Sequence, residues 1–252
     1  MARATLYVIL GSHACRVAML MLEHKGVPYR RVVVPTGLHP VAVRLLGFPG
    51  SPAPFRYIDG RPHRSIALAD RLGTVPALRL GDERLQTNRA IARRLDELQP
   101  DPPLFPGRSE ARHAVEEAEC WGDEVLQMAA RRLVLAASLH GRDGLVERGG
   151  DGRLGALLWR HDYARLIGAR YLGRFAFAAH GEAERDLLAS LPAMLDRIDG
   201  WVEAGVLNGE RLYAADFMIV PSLALLHYRR DLRPELEARV SMQLLDRVLP
   251  EP

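Results

Sequence analysis

The apolar run Leu6-Tyr7-Val8-Ile9-Leu10 gives way at Gly11-Ser12 to apolar positions at Val17, Leu20 and Met21. A short continuous run suits a strand buried on both faces, whereas i, i+3, i+4 spacing is one stripe of a helix. Gly26 supplies the left-handed residue that ends that helix. Ser12 therefore falls on a strand-to-helix turn at or just before a helix N-terminus, where free backbone N–H groups and the positive dipole end favour an anion. Serine is also a preferred N-cap, and taken by itself the position reads first as a structural cap. Cys15 is one helical turn further on and would point the same way.

Along the chain, Arg31-Val32-Val33-Val34 is a β-branched run that reads as a second strand, parallel to the first through a right-handed crossover. Residues 35–72 are dense in proline and glycine and read as an irregular loop, with a short helix over Pro40 to Leu46. Gly73 to Gln86 holds two short apolar runs around Gly81-Asp82-Glu83, the signature of a hairpin. Pro76 belongs at a strand end, where a cis peptide after Val75 would turn the Val75 backbone N–H and C=O toward a ligand; a trans proline opening the strand is the plain alternative. Ile91, Leu95 and Leu98 mark a helix capped by Thr87 or Asn88.

Residues 99–107, with four prolines among nine residues, read as an extended linker. The remainder is helical in character. Helices are expected over Ser109 to about Leu139, Ala156 to Leu172, Glu182 to Ala204, Ala214 to Arg230 and Pro234 to Leu249, with a glycine-rich hinge at His140 to Gly155. The domains so defined are 1–98, α/β, and 108–252, all-α.

At 252 residues and 48% hydrophobic, the chain can bury a real core. The net charge of +3 raises the question of nucleic acid, but Lys25 is the only lysine and the 33 arginines are scattered among carboxylates without interleaved aromatics. That distribution argues against a nucleic-acid face. No stretch reads as a signal peptide or approaches the roughly 18 apolar residues of a membrane span, so a cytoplasmic protein with no membrane partner is expected. Cys15 and Cys120 form no disulfide framework. No metal-ligand spacing, G-x-S-x-G elbow or phosphate-cradling loop occurs.

The order of these elements, with their motifs, resembles the cytosolic glutathione S-transferases. Ser12-His13-Ala14-Cys15 looks like the family's S/C-P-x-S/C turn, and the helix from it ends in Glu23-His24-Lys25-Gly26, similar to E-x-K-G. Thr74-Val75-Pro76 matches the cis-proline motif, and Thr87-Asn88-Arg89-Ala90-Ile91 stands where the family has E/Q-S-x-A-I. Leu207 to Asp216 is similar to the family's G-x-x-x-S/T-x-A-D segment, with Tyr213 for the hydroxyl residue and Asp216 retained. His13 replaces the usual proline, and Thr87-Asn88 replaces Glu/Gln-Ser.

The resemblance implies a thioredoxin-like α/β N-terminal domain plus an all-α C-terminal domain, the glutathione S-transferase fold. It also implies glutathione, or another low-molecular-weight thiol, as co-substrate. Val75 and Pro76 would meet its cysteinyl part, Thr87 and Asn88 its γ-glutamyl end, with His13 beside them. Asn88 would donate through its amide and the helix N-terminus would favour the carboxylate. Ser12 is the candidate catalytic residue, favouring the thiolate for attack on a small-molecule electrophile, with Cys15 second. Without a cysteine at 12, dithiol chemistry is disfavoured. The 35–72 segment would lie beside the site as a lid, and the protein would be a homodimer. A non-catalytic binding or scaffold protein and a glutathione-dependent isomerase are the alternatives.

Overall fold

The computed structural model describes residues 4–9, 11–50, 64–139, 153–154, 173–174, 177–179 and 181–249. Strand β1 (Ala4–Val8) is buried along its length, as its uninterrupted apolar character requires. It leads through Gly11, at φ 70°, into α1 (His13–His24). Gly26, at φ 62°, closes that helix, and Val27 N–H donates to Leu22 O. The second strand β2 (Tyr29–Val33) pairs parallel with β1, Tyr7 opposite Val32.

The 35–72 segment carries the short helix expected near residues 40–46 and, beyond the expectation of a loop, a second one. It contains α2 (His39–Leu45), with Pro40 in its first turn, and α3 (Arg64–Leu72). The intervening residues 51–63 lie outside the described residues, and with them the notion of a lid. Gly50, at φ 84°, is tightly constrained: a Cβ there would stand 2.3 Å from Arg71 O at the end of α3.

The hairpin forms as predicted, β3 (Ala77–Leu80) antiparallel to β4 (Glu83–Gln86), and β3 also pairs antiparallel with β1. The sheet order is β2-β1-β3-β4. Helix α4 (Asn88–Leu98) follows with Thr87 as its N-cap. A thioredoxin-like sheet domain is therefore in place.

The linker binds tightly to both parts of the molecule. Leu104 and Phe105 are buried, Leu104 N–H donates to Asp96 Oδ1 at 2.6 Å, and Leu104 O accepts from Ala214 N–H at 2.8 Å. The Arg93 and Arg112 guanidinium groups lie 4.7 and 5.1 Å from the Phe105 ring centroid.

The helical part begins with α5 (Ser109–Trp121) and α6 (Gln127–Leu139). What reads in the sequence as one helix is interrupted by a π-turn at Gly122–Leu126. A Cβ on Gly122 would stand 3.0 Å from Met218 Cγ, so glycine admits the neighbouring helix. That neighbour is α8 (Ala214–His227), buried on every side and packed against α1, α5 and α6; α7 (Glu182–Glu203) precedes it. Asp216 holds the start of α8, accepting from Tyr213 N–H and Asn208 N–H, each at 2.7 Å.

The helix expected over 234–249 is instead a 3-10 turn at Arg230–Leu232, then α9 (Arg233–Glu237) and α10 (Met242–Val248). The Asp199 carboxylate accepts from Ser241 N–H at the break. The hinge expected over 140–155 and the helix expected over 156–172 lie almost wholly outside the described residues. No helix among the described residues is long and apolar enough to cross a membrane.

Candidate active site

The turn between β1 and α1 is built as its sequence demands. Ser12, at φ −81° and ψ 111°, is the N-cap of α1, and its Oγ accepts from Cys15 N–H at 3.2 Å. The carbonyl of Ser12 accepts from Arg16 N–H at 3.0 Å. The hydroxyl proton is not consumed by that cap, because Oγ is the acceptor in it. Ser12 is half-buried, so the hydroxyl sits at the surface of a helix N-terminus.

Its neighbours face inward. Cys15 is buried with its thiol beside Ser12 Oγ, and burial pushes that thiol up to about 11, which leaves little thiolate at neutral pH. His13 is also buried, and its Nε2–H donates to Gln127 O on α6 at 3.1 Å. Burial and the nearby Arg131 charge lower His13 to about 3, so it is neutral. The residue that stands in the family's proline position thus joins α1 to α6.

The Val75-Pro76 peptide is cis, and both residues are buried at the start of β3. Gln86, which sequence reasoning passed over as part of a strand, fixes this corner. Its Nε2 donates to Thr74 O at 2.8 Å and its Oε1 accepts from Gly50 N–H at 2.6 Å. A buried glutamine ending a strand is the only signal the sequence carried for it.

Thr87 caps α4 by accepting from Ala90 N–H at 3.3 Å, and does so at φ 73° and ψ 142°. A β-branched residue in the positive-φ region is strained. Asn88 is buried and turned toward α1: its Nδ2 donates to Ala14 O at 3.0 Å, and its Oδ1 has no hydrogen-bond partner among the described residues. One Asn88 N–H is thus engaged on α1, and the backbone N–H groups of the first turn of α4 stand at the same corner.

Arg131 is a charged residue near this turn that sequence reasoning passed over. It lies on α6 one turn beyond Gln127, its Nη2 donates to Gln127 Oε1 at 3.5 Å, and its guanidinium stacks 5.3 Å from the Phe177 ring centroid. The Gln127 residue it donates to is the one whose carbonyl accepts from His13 Nε2–H. Only the i, i+4 spacing of Gln127 and Arg131 could have hinted at a shared face.

Among the described residues no group of three or more His, Cys, Asp or Glu side chains is placed to hold a metal ion. A surface cleft of about 430 Å³ between His113, Cys120 and Trp121 on α5 shares no residue with the Ser12 turn.

Residues 6–103 match the family model of the glutathione S-transferase N-terminal domain. No curated protein sequence gives a match. Among solved structures, a glutathione S-transferase of Ceriporiopsis subvermispora in complex with glutathione is similar at 20% identity and a TM-score of 0.59, over 98% of this chain and 99% of that one. A glutathione transferase homolog from Sulfitobacter with bound glutathione is 17% identical, with a TM-score of 0.52 over 99% of this chain and 100% of that one. A maleylacetoacetate isomerase from Anaeromyxobacter dehalogenans is 16% identical, with a TM-score of 0.53 over 98% of this chain and 85% of that one. Residues 6–103 thus match a glutathione S-transferase N-terminal domain, and the chain they belong to is glutathione S-transferase-like in fold.

Proposed function

We propose that this chain is a glutathione S-transferase-like enzyme that activates glutathione, or a related small thiol, at the Ser12 turn for attack on a small-molecule electrophile. The observation that carries the reading is the place of the Ser12 hydroxyl, half-buried at the N-cap of α1, where its Oγ accepts from Cys15 N–H at a helix N-terminus. A thiol sulfur placed there loses its proton to solvent, the hydroxyl donates to the thiolate, and the thiolate forms the new bond while the electrophile's leaving group departs. Each unit by which the thiol is lowered is worth about 1.4 kcal/mol, within reach of one hydrogen bond to a charged group.

In this reading the backbone at Val75 and Pro76 meets the cysteinyl part, and the first turn of α4, from Thr87 and Asn88, takes the γ-glutamyl carboxylate. Cys15, buried and held protonated, packs α1 and supports Ser12. We assign residues 1–98 to the thiol-binding domain, 99–107 to the linker and 108–252 to the electrophile-binding domain, in a cytoplasmic homodimer. A glutathione-dependent isomerase is the second reading, favoured by the likeness to the maleylacetoacetate isomerase.

Thermal unfolding with and without millimolar glutathione and a panel of other thiols tests the reading, because a ligand that binds only the folded state raises the midpoint. Glutathione is expected to raise it. Ser12→Ala is expected to lower turnover by about 10- to 100-fold through the lost thiolate hydrogen bond, and to lose about 1 kcal/mol of stability through the lost cap. If no thiol moves the midpoint, the chain is a binding or scaffold protein and Ser12 is only a cap.

A further inference from the structure

We propose that Gln86 is a positioning residue for thiol recognition: by holding Thr74 O it sets the direction of the Val75 N–H, and so favours thiols that carry a carbonyl on the carbon bearing the CH₂–SH group. This rests on the thiol-transfer reading above. The sheet register brings the residues concerned to one end of the sheet. Ala77 stands opposite Tyr7 of β1 and opposite Gln86 of β4, so Val75, two residues before Ala77, falls at the end of β1 that runs into the Ser12 turn. Gln86 also directly precedes Thr87, the cap of α4.

Thr74 C=O and Val75 N–H belong to one planar peptide unit, which is trans, so the two groups point in opposite directions. Gln86 Nε2 donates to Thr74 O at 2.8 Å, and Gln86 Oε1 accepts from Gly50 N–H at 2.6 Å. The carbonyl can only accept and the N–H can only donate, so the amide has one orientation that meets both. With its oxygen tied to Gln86, the peptide directs the Val75 N–H away from Gln86. That N–H has no hydrogen-bond partner among the described residues, although Val75 is 8% exposed. A buried backbone donor of this kind calls for an acceptor.

The surroundings hold Gln86 itself in place. Its side chain is buried, and its second partner, Gly50, is seated so closely against the end of α3 that the backbone there has little room to follow a displaced amide. A side chain bonded at both ends of its amide keeps one rotamer, so the Val75 N–H is presented to a ligand without reorganisation. A cysteinyl carbonyl supplies the acceptor that N–H lacks. A thiol built on a bare aminoethyl chain supplies none.

Two thiols that differ only at that carbonyl test the proposal: γ-glutamylcysteinamide, and γ-glutamylcysteamine, which has hydrogen in place of the carboxamide. In calorimetry with the full chain, the wild type is expected to bind the cysteinamide about tenfold tighter, the worth of one net hydrogen bond. Gln86→Met, of similar length, releases the Thr74 carbonyl and is expected to weaken the cysteinamide about tenfold and the cysteamine by less than about threefold. A merely structural role for Gln86 would weaken both alike. Gln86→Glu adds a rescue within one variant. Its ionised carboxylate repels Thr74 O, whereas the protonated carboxyl accepts from Gly50 N–H and donates to Thr74 O as the amide does. Its affinity for the cysteinamide, relative to wild type at the same pH, is therefore expected to recover as pH falls from about 8 to about 5. Equal losses on the two thiols, or a Gln86→Glu deficit that does not change with pH, overturn the positioning role. If the wild type still binds glutathione in those cases, the thiol reading stands alone. If the wild type binds neither glutathione nor either analogue, both fall together.

Discussion

His13 is neutral because it is buried beside Arg131 and gives its one proton to Gln127 O. Its folded value of about 3 lies below the ordinary 6.5, so the unfolded chain takes up a proton that the folded chain refuses. The stability this confers is fully present above pH 6.5 and is lost as pH falls toward 3. His13→Gln removes the titration while leaving a side chain that can donate to Gln127 O. Between pH 7 and 4.5 the variant is expected to lose on the order of 2 kcal/mol less than the wild type, measured as urea midpoints at the two pH values. Parallel declines would sink the assignment. His39, lowered in the same direction, is common to both proteins and cancels. At this scale the sequence was only half legible. The position of Ser12 followed from local periodicity, because a strand that breaks into a helix has only one turn in which to place a cap. The inward turn of His13 and Asn88 did not follow, since each is set by a packing partner: Gln127, 114 residues away, and Ala14, 74 residues away.

Elements whose cause is local were the ones legible in the chain. Helix α1, the β3-β4 hairpin and α4 carry their own stripe, turn and cap. Helix α3 was hidden because the proline and glycine density around it reads as loop, and the π-turn because the bulge answers to Met218 and Ile219 across the interface with α8. The start of α4 is the element most open to test. Thr87 holds a positive φ that costs of order 1–3 kcal/mol, and its Oγ1 returns about 1 kcal/mol as a cap. Glycine relieves the strain and loses only a few tenths as an N-cap, whereas alanine keeps the strain and loses the cap. Thermal midpoints are therefore expected in the order Thr87→Gly, wild type, Thr87→Ala, the extremes about 2 kcal/mol apart. If the strain aligns the first-turn N–H groups for a γ-glutamyl carboxylate, Thr87→Gly gains stability yet shows a smaller midpoint shift with glutathione. An unchanged shift would place the strain outside the binding function.

For the whole molecule, an α/β part, a proline-rich linker and a helical part were readable from composition and period. The fastening between them was not. Lys25, at the end of α1, is 0% exposed, and its Nζ donates to Asp96 Oδ1 at 2.7 Å, Gln99 O at 2.6 Å and Pro102 O at 2.5 Å. Asp96 Oδ1 also accepts from Leu104 N–H, so one ion pair gathers α1, α4 and the linker. Nothing local distinguishes this lysine from a solvated one, because its acceptors lie more than 70 residues away. Removing one partner of a buried pair leaves the other charge uncompensated, which costs about 3–5 kcal/mol. Lys25→Met is therefore expected to lower the thermal midpoint by roughly 6–20 °C at about 2–4 °C per kcal/mol for a chain of this size. Because Lys25 is the only lysine, it is also a built-in reporter. An amine-directed acylating reagent should leave the Lys25 peptide unmodified in the folded protein, as read by mass spectrometry. Modification should appear only across the same urea range in which circular dichroism is lost, since Nζ is released only when α1, α4 and the linker separate. Labelling of Lys25 well below that range would mean that the linker opens on its own, and that the two parts are not fastened through this ion pair.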